Sequence, residues 1–174
     1  MKKMFKYAAA ALMAVATLAG FTACGGEDEP EPPVDENPIT GYRVRYTVDP
    51  GSDLLNIADV TLAYTSETFG TTKTSITAGH TEVVTDYPAS AKGKEIMGEV
   101  FIAPKAGFTP DPEEKYTVGA KILIEVWTLY KKGEPSYMST VIPQGAKMTI
   151  RGDQYTQYME HYADKHVTFQ SFQL

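Results

Sequence analysis

The chain has 174 residues, 43% of them hydrophobic, and sets 16 Lys and Arg against 22 Asp and Glu, a net charge of −6. That acidic balance opposes the phosphate backbone and excludes nucleic acid as the expected partner. With Cys24 as the one cysteine, no internal disulfide can form.

Lys2, Lys3 and Lys6 open the sequence, an apolar run follows over residues 8–19, and small residues lead to Cys24. This order predicts a secretory signal over residues 1–23, because the run is too short to span a bilayer comfortably as a permanent helix. The segment Gly20-Phe21-Thr22-Ala23-Cys24 resembles a relaxed bacterial lipobox, with Phe21 where leucine is commoner. The resemblance implies diacylglycerol on the Cys24 thiol, cleavage just before it, and acylation of the new amino terminus. The membrane is then a partner through lipid, since two or three acyl chains on one residue anchor a protein that one chain holds only marginally.

Residues 24–37 form the predicted tether, in which prolines and like charges keep the chain extended and leave too little apolar surface to fold. Its acidic cluster Glu27, Asp28 and Glu29 resembles the surface-export signal of Bacteroidetes lipoproteins. That resemblance implies the outer face of the outer membrane; a solvated spacer on the periplasmic face is the alternative. Cleavage removes three lysines and no acid, and six acids lie between Glu27 and Glu36, so the remaining domain carries little net field.

Residues 38–174 suit one domain with one core. In residues 42–48, Tyr42, Val44, Tyr46 and Val48 alternate with polar residues, as a half-buried strand requires, and Pro50-Gly51 ends it. Val60, Leu62 and Tyr64 continue the period, followed by threonine-rich runs over 71–77 and 81–87 and another strand over 96–103. Residues 116–130 are the clearest element: Val118, Ala120, Ile122, Ile124 and Val126 form one unbroken apolar face and predict a central strand. The turn at Lys131-Lys132-Gly133-Glu134 leads into a hairpin partner over 136–142, and Pro143-Gln144-Gly145 into a strand over 146–150. Asp153 is placed to cap a helix of about three turns in which Tyr155, Tyr158, Met159 and Tyr162 share a face. Val167, Phe169 and Phe172 mark a closing strand. Seven to nine strands without a βαβ rhythm predict a mainly β fold, an antiparallel sandwich of immunoglobulin-like or related type with one short C-terminal helix. A small barrel is the alternative.

No nucleophile motif accompanies His80, His161 or His166, and the cysteine is committed to lipid, so no catalytic residue, metal or cofactor is expected and the protein is not read as an enzyme. His161 and His166 are five residues apart, where a metal-binding pair on one helix face needs four. Arg151-Gly152-Asp153 spells an integrin-type tripeptide, but Gly152 and Asp153 already have work in turning the chain and starting the helix. Trp127 is the remaining candidate. It lies opposite the apolar face, among Lys121, Leu123, Glu125 and Leu129, and two arrangements are open. The expected one has the tyrosine-rich helix covering it in a second core; the other is an exposed aromatic platform for a carbohydrate or protein ligand. The expected function is a surface-anchored, non-enzymatic binding or assembly module. The alternative is a periplasmic structural or regulatory lipoprotein that occludes a partner protein.

Overall fold

The computed structural model describes residues 37–140 and 142–174. The expected signal, Cys24, and the cluster Glu27, Asp28 and Glu29 lie outside the described residues. In chain order the elements are β1 (Ile39–Pro50), α1 (Leu54–Ile57), β2 (Ala58–Thr65), β3 (Thr71–Ile76), β4 (Thr81–Pro88), β5 (Glu95–Pro104), β6 (Lys115–Tyr130), β7 (Ser136–Thr140), β8 (Lys147–Arg151), α2 (Tyr155–Tyr162) and β9 (Thr168–Gln173). Every strand pair is antiparallel. A five-stranded sheet runs β4-β1-β6-β7, with β8 also on β6, and a four-stranded sheet runs β3-β2-β5-β9. Both sheets are open, so the sandwich reading holds and the barrel does not.

Period-two alternation sends one face of each strand inward. Val44, Tyr46 and Val48 on β1 stand opposite Val126, Ile124 and Ile122 on β6, and all six are fully buried. They meet Leu62 of β2 and Ile96 and Val100 of β5 from the second sheet. The core contains a polar cluster around Thr65. The Tyr87 hydroxyl donates to the Thr65 carbonyl, and the Tyr46 hydroxyl lies 2.9 Å from that of Tyr87. Burial pushes Tyr87 up to about 12 and Tyr46 higher still, so both remain neutral donors at physiological pH.

β6 is longer than any partner, and its two halves are served separately. Ala120 to Tyr130 pairs with β1, while along the other edge β7 pairs with residues 125–128 and β8 with residues 115–119. The halves join at Gly119, whose φ of +83° suits a residue without Cβ; a methyl there would strike the Ala146 carbonyl. Between β7 and β8 only Gln144 bridges to Ile122. The Ile124 N–H in this gap donates instead to the side chain of Gln170, at 2.7 Å, and the Gln170 amide donates to the Ile142 carbonyl at 2.8 Å. Gln170 belongs to β9, so one carboxamide ties the second sheet to the central strand of the first.

The closing strand forms at Thr168–Gln173. Thr168 and Gln170 are buried and Phe172 packs against the core, whereas Phe169 is exposed, so a hydrogen-bonding side chain shares the inward face of β9 with an apolar one. Asp153 does not cap the helix. Residues 152–154 form a 3-10 turn in which the Gln154 carboxamide oxygen accepts from the Arg151 N–H at 2.9 Å, and the Asp153 carboxylate lies 3.6 Å from the Arg151 guanidinium. Gly152 is buried against the Asp111 carbonyl, where no Cβ fits. The tripeptide is therefore a structural turn.

Gln170→Leu keeps the volume but leaves the Ile124 N–H without a partner in a buried site. It should destabilise by about 1–3 kcal/mol in urea unfolding, the cost of orphaning a buried donor. Gln170→Glu should also destabilise, since it replaces the amide donor to Ile142 with a buried acid.

Candidate functional site

α2 packs where its tyrosines find apolar partners, at one end of the sandwich. Tyr155, Tyr158 and Met159 are buried; the Tyr155 ring meets Phe108 at 5.3 Å and its hydroxyl donates to the Ile57 carbonyl at 3.0 Å. Phe108 in turn meets Tyr116, the second residue of β6. Trp127 is eleven residues further along that strand, about 36 Å at roughly 3.3 Å per residue. The helix therefore does not cover Trp127, and the expected second core around it is not formed.

Trp127 is half-buried on the outer face of the first sheet. The strand registers place Asp86 of β4, Arg43 of β1, Trp127 of β6 and Tyr137 of β7 in one row across four strands. Tyr137 meets the indole at 5.2 Å with its ring at 68°, and the Arg45 guanidinium lies 5.1 Å over the indole. Each arginine is held from the side. Arg43 donates twice to the Asp86 carboxylate, both at 2.8 Å, and the Asp86 carboxyl is consequently held below its ordinary range. Arg45 contacts Glu125 at 2.6 Å and Glu82 at 3.6 Å, and the Tyr137 hydroxyl reaches Glu125 at 3.5 Å. Beside this row a shallow groove of about 230 Å3 is lined by Arg43, Arg45, Val84, Trp127 and Pro135.

The histidines occupy three separate settings. His80 lies 2.7 Å from Asp49 and 3.4 Å from Glu82, and these hydrogen bonds raise its pKa. His161 packs edge-on to Tyr162 at the rim of a cleft between β8 and α2, in which Tyr158 is pushed up to about 12 by burial. His166 lies on the outer face of the second sheet, 3.5 Å from Glu99 and beside Phe101 and Phe169. Among the described residues no group of three or more His, Cys, Asp or Glu is placed to hold a metal ion, and no helix is long and apolar enough to cross a membrane.

No protein-family model, curated protein or solved structure matches the chain. Trp127 was legible in the sequence as a residue on the wrong face for the core. Its companions were not: Arg43 and Arg45 read simply as the polar half of an alternating strand, and only the register brings them beside the indole.

Half-buried between Arg45 and Tyr137, Trp127 contributes mainly pair contacts, each of about 0.5–1.5 kcal/mol. Trp127→Ala should accordingly destabilise by about 1–2 kcal/mol, below the roughly 3–5 kcal/mol of a fully buried tryptophan. The native fluorescence should be readily quenched by acrylamide. An indole fully shielded from quencher would contradict its partly exposed placement.

Proposed function

We propose that this chain is a lipoprotein, anchored through Cys24 to the outer membrane and displayed at the cell surface, whose sandwich acts as a non-enzymatic binding module. The observation that carries the binding role is the partly buried Trp127, set with Tyr137 and two paired arginines on the outer face of a sheet. A large aromatic surface left in water costs free energy, and a ligand that covers it recovers that cost. Groups already fixed by mutual ion pairs lose little further entropy when a ligand arrives. The lipobox and the acidic cluster support the anchoring and display. Asn37, the first described residue, accepts from the Lys132 backbone at 2.8 Å and donates to its carbonyl at 3.0 Å, so the polypeptide leading back to Cys24 joins the domain beside the β6–β7 turn.

In cells fed radiolabelled palmitate, the wild-type chain should take up label and Cys24→Ala should not; label on the variant would defeat the anchor. Replacing Glu27, Asp28 and Glu29 with alanine should leave folding unchanged within about 0.5 kcal/mol, the range of substitutions outside a core. Antibody labelling of intact cells should nevertheless fall.

The binding role has its own measurement. On arrays of polysaccharides and envelope proteins, wild-type protein should be retained and Trp127→Ala should not, with a melting temperature lowered by only a few degrees. Equal retention of both forms would place any binding elsewhere.

A further inference from the structure

We infer that the ligand of the Trp127 face is an uncharged glycan, an assignment that rests on the binding role proposed above and adds its chemical class. From β4 to the β6–β7 turn, the groove offers the side chain of Val84, then the guanidiniums of Arg43 and Arg45, then the indole of Trp127 and the ring of Pro135. Apolar and polar surfaces thus alternate within a few ångströms. A complementary ligand must be amphipathic on the scale of a single ring. A pyranose meets that condition, with a patch of C–H groups to lie against an aromatic or aliphatic surface and hydroxyls around its rim.

Charge decides which sugars. Arg43 is engaged by Asp86, and Arg45 by Glu125 and Glu82, so two cations face three carboxylates and an acidic ligand gains no net attraction. The same pairs leave unused guanidinium N–H donors and carboxylate lone pairs side by side. A hydroxyl both donates and accepts, so it can use both kinds of group. A protein partner is less well matched, because a protein hot spot is ringed by contacts that exclude water, whereas Arg43, Arg45 and Glu125 beside the indole on β1 and β6 are charged, with Leu129 the apolar neighbour on that face.

Trp127 is the only tryptophan of the chain, so its fluorescence reports on this site alone. The mature protein would be titrated with hexasaccharides of β-glucan, xylan and mannan, and in parallel with an oligogalacturonate and with proline-rich and aromatic peptides. At least one neutral hexasaccharide should produce a saturable change, with an affinity that moves by less than about two-fold between low salt and roughly 0.5 M NaCl. Arg43→Ala and Asp86→Asn should each weaken that binding by about ten-fold, the loss of a charge-assisted hydrogen bond. Calorimetry should find no binding to Trp127→Ala. Response only to the oligogalacturonate or to peptides, lost in Trp127→Ala by calorimetry, would overturn the assignment to an uncharged glycan and leave the binding face standing. Glycan binding that persists in Trp127→Ala, or no response to any probe together with equal array retention of wild type and Trp127→Ala, would overturn both.

Discussion

A strand of sixteen residues has more backbone to satisfy than any one neighbour can supply, and the architecture follows from how β6 meets that demand. β1 covers eleven of its residues on one edge. On the other edge β7 and β8 divide the work, and the interval between them would leave the Ile124 N–H buried without an acceptor. Gln170 closes that interval from the opposite sheet. The hydrogen-bond requirement of the central strand is thus met from β9, and the Gln170 carboxamide ties the two sheets together at that point.

The aromatic residues divide by location, and that division separates the buried core from a partly open sheet face. Tyr46 and Tyr87 sit in the core because their hydroxyls have a shared acceptor at Thr65. Phe108, Tyr116 and Tyr155 close one end of the sandwich, where α1 has already brought Leu54 and Ile57 inside. Trp127 is on the far part of β6 and on its other face, with Tyr137 and Arg45 as neighbours. The first two groups bury what hydrophobicity requires. The third keeps a large ring in partial contact with solvent, an arrangement that packing does not explain.

Ion pairs on that face are arranged across strands: Arg43 with Asp86 links β1 to β4, and Arg45 with Glu125 links β1 to β6. The first of these is exposed and the second part-buried, and exposed pairs add little stability, about 0–1 kcal/mol each. Their consequence is geometric. They hold planar charged groups in fixed orientations beside the indole.

The sequence by itself determined the alternation that defines β1 and β6, the chain positions of the turns, the amphipathic face of α2, and the side of the central strand on which Trp127 stands. Each of these is local, written in periods of 2 and 3.6 residues and in proline and glycine positions. Tertiary structure decided what each exposed face would meet. Nothing near α2 in the chain specifies that it packs at the Tyr116 end of β6 and leaves Trp127 open, since that depends on Ile57 and Phe108 arriving from distant segments. Gln170 likewise reads as one more polar residue among Phe169 and Phe172 until β7 leaves an N–H unpaired. Arg43 becomes a neighbour of Trp127 only through the antiparallel register of strands eighty-four residues apart. The inward and outward pattern restricts the register of each strand, but which distant strand becomes its neighbour is decided by the hydrogen-bonding and packing of whole sheets.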